Sequence, residues 1–130
     1  MASRLLASRL DASLSRPNLN ITVEQWRILF YLWNEDGINQ QELAKRASKE
    51  KSTITRQIEG LVKKKLVIKQ KGGTDKRDKL IYLTENGKKI ETEALSVAWN
   101  ITQEAEKGIE ESELQIFKKV LQQIIENVKL

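Results

Sequence analysis

The sequence contains no cysteine and no histidine among its 130 residues. Without cysteine, the chain can form no disulfide, no thiol-based redox sensor and no thiolate metal site. Without histidine, it lacks both an imidazole general base and the most common transition-metal ligand. Carboxylates could still serve as acid–base groups or magnesium ligands, but those of Glu110, Glu111 and Glu113 are typical of a solvated helix surface. We therefore predict that the protein is not an enzyme and needs no cofactor or metal.

Long apolar runs are absent as well, and the only proline is Pro17. No stretch reaches the roughly 18 apolar residues that a transmembrane helix requires. Residues 1–14 mix apolar and charged side chains, so they lack the continuous apolar core of a secretory signal. Their arginines and serines faintly resemble a transit peptide, although an ordinary amphipathic helix explains them better. We expect a cytoplasmic protein of one domain, or a small domain with an added oligomerisation element.

Residues 39–84 contain two short helical patterns followed by two β-rich runs. The first helix is predicted over 40–47 and the second over 51–64, where Ile54, Ile58 and Leu61 form an apolar stripe. The β-rich runs are LVIKQK and KLIYLT, joined by the turn-forming, basic segment GGTDKRD. Helix, turn, helix and hairpin in this order predict a mainly α fold with a small β-hairpin wing, a winged helix-turn-helix.

The second predicted helix has a polar face opposite its apolar stripe. At about 100° per residue, this face carries Ser52, Arg56, Glu59 and Lys63, with Thr53 and Thr55 on its flanks. Arginine, serine and threonine donate hydrogen bonds to base edges and phosphates. This face therefore indicates DNA recognition.

The positive charge of the chain is concentrated in the same region. Residues 39–79 hold 13 Lys and Arg against 5 Asp and Glu, a net +8, whereas the whole chain is +5. The remainder is therefore −3, and a basic patch on an otherwise slightly acidic protein is typical of a phosphate-facing surface. For the run Lys63–Lys65 alone, a second explanation stays open, because cations near a helix C-terminus are favourable in any protein.

Further helices are predicted on both sides of this region. Residues 2–14 carry leucines at helical spacing, and a helix over 23–35 begins with Thr22 as N-cap and Gln25 in a capping box. A third pattern begins at Glu85 and extends as far as Lys107, and a fourth covers 111–129 with near-heptad spacing. The apolar faces of the terminal helices exceed what a small winged-helix core can cover. We therefore expect a homodimer, the alternative being a monomer with these helices folded back.

The motifs of residues 21–90 resemble the MarR family of bacterial transcriptional regulators. The most specific are DKRDK followed by LIYLT and Gly87, similar to the family's wing, and STITR, similar to the start of its recognition helix. Two departures are Lys65, where the family often has glycine, and Gly60 in mid-helix. The resemblance implies winged helix-turn-helix residues 21–87, with dimerisation helices in 1–20 and 88–130. It also implies recognition helices in successive major grooves of a pseudo-palindromic operator, and wings in the flanking minor grooves.

The resemblance also implies roles for individual residues. Base and phosphate contacts in the major groove fall to Ser52, Thr53, Thr55 and Arg56, and phosphate contacts to Gln40, Lys51, Lys76 and Lys79. Arg77 would enter the minor groove, oriented by Asp75 through a charge-assisted hydrogen bond. For this pair the alternative is a surface ion pair that stabilises a turn.

Members of the family often bind a small aromatic effector that weakens their affinity for DNA. The resemblance places Trp26, Phe30 and Trp33 beside such a site, although aromatic residues at helical spacing are more often plain core. We therefore predict a homodimeric regulator, in the family's common mode a repressor. The alternative function is a winged-helix module that binds protein without reading DNA sequence.

Replacing Arg56 by alanine should abolish discrimination between operators, because its guanidinium would contact base edges. Replacing Arg77 by alanine should weaken binding with a smaller loss of sequence preference. Salt titrations of each variant on a cognate operator measure both effects. If both variants bound that operator as the parent does, these two roles would be wrong.

Overall fold

Seven helices and three short strands make up the computed structural model, which describes residues 2–16, 18–47, 49–72 and 79–129. In chain order the elements are α1 (Ala2–Leu14), α2 (Val23–Asn34), β1 (Ile38–Asn39), α3 (Gln40–Ala47), α4 (Lys51–Lys63), β2 (Val67–Lys71), β3 (Lys79–Leu83), α5 (Glu85–Lys89), α6 (Glu91–Ala105) and α7 (Glu111–Val128). The predicted fold class, mainly helical with a small sheet, is confirmed. Within the described ranges, no helix is long and apolar enough to cross a membrane.

Local sequence signals set the beginning of α2 as predicted. The Thr22 hydroxyl accepts from the backbone N–H of Gln25 at 3.1 Å, and the Gln25 side chain accepts from the N–H of Thr22 at 3.2 Å. Two donors of the first helical turn, which have no partner inside the helix, are thereby satisfied. The bounds of α1 and α3 also agree with the prediction, and α2, α4 and α7 each end one residue before the predicted position.

The wing hairpin belongs to a three-stranded sheet of order β1-β3-β2. The hairpin pairs Val67 with Leu83 and Lys71 with Lys79, and β1 adds Ile38 opposite Ile81 on the other edge of β3. Strand β1 was not predicted from the sequence, because two residues are too few to show strand alternation. This extra pairing ties the wing to the beginning of α3.

The core lies between α2, α3, α4 and the sheet. Ile54, Ile58 and Leu61, the predicted stripe of α4, are buried to 2% exposure or less. They pack with buried side chains of the neighbouring elements, among them Leu14, Ile28, Leu29, Leu32, Leu43 and Ile81. Because these contacts hold one face of α4 in the core, the opposite face is presented to solvent.

The segment after the wing differs from the prediction of one continuous helix. The structure divides it at Ile90 into α5 and α6, and α6 ends at Ala105, with Gly108 at a φ of +83° in the turn that follows. Helix α5 packs closely against the connection between α4 and β2, since Gly87 lies so near the carbonyl of Leu66 that a Cβ would be 2.2 Å from that oxygen. The prediction of a single helix was therefore wrong, since apolar spacing continues across the break and cannot reveal it.

The terminal helices leave large apolar side chains in solvent. Helix α1 packs against α6 and α2. Helix α7, by contrast, has no buried residue in its described length. Its exposed apolar side chains are Ile116, Phe117, Val120, Leu121, Ile124, Ile125 and Val128, to which α6 adds Trp99 at 63% exposure. The described helix α7 is therefore not packed onto α2, α3, α4 or the sheet. The monomeric alternative requires such packing.

A buried polar joint connects α2 to the end of α4 and explains Gly60. Gln25 is 5% exposed, and its side-chain oxygen accepts from the Lys64 ammonium at 2.7 Å. A Cβ on Gly60 would lie 2.6 Å from the Gln25 amide nitrogen. Glycine therefore makes room for the glutamine, and partial burial lowers the pKa of Lys64. Lys64 therefore has a structural partner in Gln25, which neither explanation of the lysine run predicted.

The other departure, Lys65, adopts the backbone conformation that glycine tolerates best. Its φ is +62°, in the turn between α4 and β2. A left-handed conformation costs a residue with a Cβ about 1–2 kcal/mol. Replacing Lys65 by glycine should therefore raise the free energy of unfolding, by about 0.5 kcal/mol after the greater entropy of an unfolded glycine is subtracted.

Urea unfolding of the Lys65→Gly variant measures this gain. The matched control is Lys63→Gly, which removes the same charge from the last helical turn of α4 and should lower stability by about 1 kcal/mol. Equal losses in the two variants would contradict the strain at Lys65.

Candidate nucleic-acid interface

The outward face of α4 presents the side chains that the sequence assigned to base contacts. Ser52 and Arg56 are exposed, and Thr53 and Thr55 are half-buried on the two flanks of the helix. Arg56 makes no hydrogen bond or ion pair with any other described residue, so its five donors are available to a ligand. Lys51, at the first position of α4, is exposed beside the helix N-terminus, where backbone N–H groups favour anions.

Gln40 and Thr55 meet in the structure, and their contact changes what each can offer. The Gln40 amide nitrogen donates to the Thr55 hydroxyl at 2.8 Å, and this hydroxyl donates to the carbonyl of Lys51 at 2.8 Å. Thr55 therefore uses its one proton inside the helix and cannot donate it to a phosphate oxygen. The contact fixes the N-terminus of α3 against the first turns of α4, so both residues position the reading face. The Gln40 side-chain oxygen is buried and without a partner in the described part of the chain.

A groove of about 290 Å³ runs between α4 and the wing strands. Its cationic lining consists of Lys51 from α4, Lys69 from β2 and Lys79 from β3. Its other polar lining residues are Asn39, Gln40, Gln41, Thr55 and Glu59. Lys51 and Lys79 were predicted from the sequence as phosphate contacts, whereas Lys69 was not. The signal for Lys69 was strand alternation, since its side chain lies two positions from the buried Val67 and is only 24% exposed.

The base of the wing places two lysines directly opposite each other. Lys71 and Lys79 are cross-strand partners, and both are exposed. Like charges at facing positions of an antiparallel pair are destabilising. An anion bound between them would remove this repulsion. The predicted wing residues Asp75, Lys76 and Arg77 lie outside the described residues.

The aromatic residues of α2 divide into two groups. The indole N–H of Trp33 donates to the carbonyl of Gly87 at 2.9 Å, which joins α2 to α5. Trp26 and Phe30 stack with ring centroids 5.5 Å apart, and Phe30 is 39% exposed. The indole N–H of Trp26 is buried without a hydrogen-bond partner among the described residues. Trp33 therefore has a structural role, whereas Trp26 retains an unused donor.

Comparison with known proteins identifies the family. The model of the MarR family matches residues 21–79, which contain α2, the helix-turn-helix and the beginning of β3. The chain belongs to the MarR family of DNA-binding transcriptional regulators. The resemblance seen in the wing and recognition-helix motifs is thereby confirmed.

Two solved structures extend the similarity beyond the matched region. The crystal structure of the S. aureus MepR–DNA complex has a TM-score of 0.89 and 27% identity, covering 99% of this chain and 93% of the other. That of the transcriptional regulator PA3341 has a TM-score of 0.83 and 30% identity, with 98% and 92% covered. The terminal helices thus belong to the shared fold.

A curated relative matches over a shorter region. The organic hydroperoxide resistance transcriptional regulator of Bacillus subtilis is 25% identical over 83 residues. The match covers 64% of this chain and 56% of the relative, so the aligned region spans little more than half of that protein.

Proposed function

We propose that this protein is a cytoplasmic, homodimeric repressor of the MarR type that binds double-stranded DNA and catalyses no reaction. The observation that carries the proposal is the placement of three lysines in the groove between α4 and the wing, beside Arg56, which has no partner among the described residues. Catalytic groups are not needed for a repressor that acts by occupying a promoter.

The groove has the position that a DNA backbone would require. A recognition helix enters the major groove and a wing reaches the neighbouring minor groove. One phosphodiester strand separates two such grooves, so it would pass between α4 and the wing, over Lys51, Lys69 and Lys79. The same strand would relieve the repulsion between Lys71 and Lys79. The MepR relative, similar over 99% of this chain, was crystallised with DNA.

Within this arrangement Ser52, Thr53 and Arg56 contact base edges. The hydrogen bond between Gln40 and Thr55 fixes the orientation of α4 relative to α3. The wing residues Asp75, Lys76 and Arg77 keep the roles that the resemblance implies. Arginine is the most frequent specific partner of guanine in the major groove. Arg56, which has no partner among the described residues, is therefore assigned the largest share of sequence discrimination.

The terminal helices, in residues 1–20 and 88–130, form the dimer interface in this proposal, and residues 21–87 bind DNA. The seven exposed apolar side chains of α7 form a continuous stripe of the kind that marks a protein–protein interface. A two-fold axis through this interface would place two recognition helices about 34–36 Å apart, one turn of DNA. The operator is then pseudo-palindromic.

A small aromatic effector would bind beside Trp26 and Phe30, between the helical dimerisation region and the head. The partly exposed ring of Phe30 offers an apolar surface, and the buried indole N–H of Trp26 offers an unused donor. Trp33 would shape the site indirectly, because its own N–H is bound to Gly87. Effector binding would release DNA by moving α2, which contacts α4 through Gln25 and Lys64.

The affinity for duplex DNA should fall steeply with salt. Each neutralised phosphate contributes about −0.9 to the slope of log K against log salt concentration, so Lys51 and Lys79, the groove lysines that form no ion pair with a described residue, give about −4 over two protomers. Fluorescence anisotropy at several salt concentrations measures this slope. Lys51→Ala should make the slope shallower by about 2, whereas Lys107→Ala, an exposed lysine beyond the end of α6, should leave it unchanged.

The alternative function is distinguished by the same titration. A winged-helix module that binds only protein would show an affinity for duplex DNA that is weak and nearly independent of salt. A flat slope in the parent protein would overturn the proposal.

Replacing Leu121 by glutamate should convert the dimer into monomers, because a carboxylate would be buried in the apolar interface of α7. Sedimentation velocity measures the change in mass. Gln122→Glu is the matched control, since Gln122 lies on the polar side of the same helix and bonds to Glu126. A dimer that survived Leu121→Glu unchanged would place the interface elsewhere.

A further inference from the structure

Glu59 is an acidic residue on a surface that should favour phosphate. It is the only carboxylate in α4, whose sequence is KSTITRQIEGLVK. It lies one turn after Arg56, on the outward side of the helix, and its side chain is 59% exposed. A carboxylate there repels the phosphate backbone of any DNA. Affinity alone therefore does not explain a glutamate at this position.

The carboxylate of Glu59 faces the lysine in the groove that sequence reasoning missed. Its oxygen lies 3.9 Å from the Lys69 ammonium, which belongs to the wing strand β2. Glu59 lines the groove that contains Lys51 and Lys79 and also the adjoining apolar groove of Val62 and Ile68. Glu59 therefore lies where the two grooves meet, one turn after Arg56 on the exposed side of α4.

We propose that Glu59 sets the discrimination between the operator and other DNA. In the free protein it pairs with Lys69 and so withholds one cation from phosphate. On DNA of any sequence it adds repulsion, which the operator offsets by presenting an exocyclic amino group to the carboxylate. This proposal rests on the proposed function, because it assumes that α4 enters the major groove.

The chemistry of the two DNA surfaces makes this discrimination possible. Phosphate oxygens only accept hydrogen bonds, and a carboxylate also only accepts, so the two cannot pair. The N4 amino group of cytosine and the N6 amino group of adenine donate into the major groove, and acidic side chains accept from cytosine N4. The repulsion between Glu59 and the phosphates is thus offset only where the DNA sequence places such an amino group within reach of α4.

A purely structural role does not account for Glu59. The ion pair with Lys69 is long and largely exposed on the glutamate side, and such surface pairs contribute little to stability. The glutamate side chain makes no hydrogen bond with another described residue. Replacing it by glutamine should therefore leave the fold and the thermal unfolding temperature unchanged.

The test compares two duplexes. The first is the tightest-binding duplex selected from genomic fragments with the parent protein, and the second is a scrambled duplex of the same length and composition. Glu59→Gln should bind the scrambled duplex about 5-fold more tightly per protomer near 0.15 M salt, with a slope steeper by about 0.9 per protomer, because Lys69 is released to a phosphate. Its affinity for the selected duplex should rise less or fall, so the ratio of the two affinities decreases.

Three further variants make the result specific. Glu59→Ala, which cannot pair with any base, should also lower the ratio. Lys69→Gln added to Glu59→Gln should return the slope to that of the parent. Glu85→Gln removes the same charge from another exposed pair, with Lys88 at 3.9 Å, and should leave the ratio unchanged.

Two results would overturn the proposal. If Glu59→Gln strengthened binding to both duplexes equally, Glu59 would act only through its charge, and if it changed neither affinity, Glu59 would have no role in binding. If either result is found while the affinity of the parent protein falls steeply with salt, the proposed DNA-binding function still holds and only the role of Glu59 is refuted. A parent slope near zero refutes the proposed function and with it this inference.

Discussion

Burial of the apolar stripe of α4 is the constraint on which the rest of the interface depends. Ile54, Ile58 and Leu61 are almost completely removed from solvent. Because successive side chains turn by about 100° around a helix, fixing this stripe in the core also fixes Arg56 and Glu59 on the opposite side. The hydrogen bond between Gln40 and Thr55 then sets the orientation of α4 against α3. The reading face is therefore a consequence of core packing.

The short connection from α4 to β2 holds the wing at a defined distance from the helix. The N–H of Leu66 donates to the carbonyl of Leu61 at 3.0 Å, and the N–H of Thr84 donates to the carbonyl of Leu66 at 3.0 Å. Gly87 packs against that same carbonyl. Backbone hydrogen bonds do not depend on side-chain identity, which is why Lys65 can occupy a left-handed position at a cost in stability. Helix α4 and the wing strands are thus joined by a short, hydrogen-bonded connection.

The lysines of the basic region, residues 39–79, have different surroundings in the folded protein. Lys64 turns inward to Gln25, while Lys69 and Lys79, ten residues apart in sequence, line one groove with Lys51. The charges along the sequence locate the basic region, but they do not distinguish a lysine that points inward from one that lines the groove. Antiparallel pairing of β2 with β3 brings the groove lysines together, and one carboxylate, that of Glu59, moderates their charge.

The sequence by itself determined the order of the main helices and the hairpin, and the family, because helical spacing, the Thr22 cap and the STITR and DKRDK segments are local signals. It could not reveal β1, the break at Ile90 or the contact between Gln40 and Thr55. Each of these depends on segments that are distant along the chain. The tertiary structure alone decided which lysines meet and that Glu59 stands beside Lys69. Side-chain proximity across elements follows from packing, which no local pattern records.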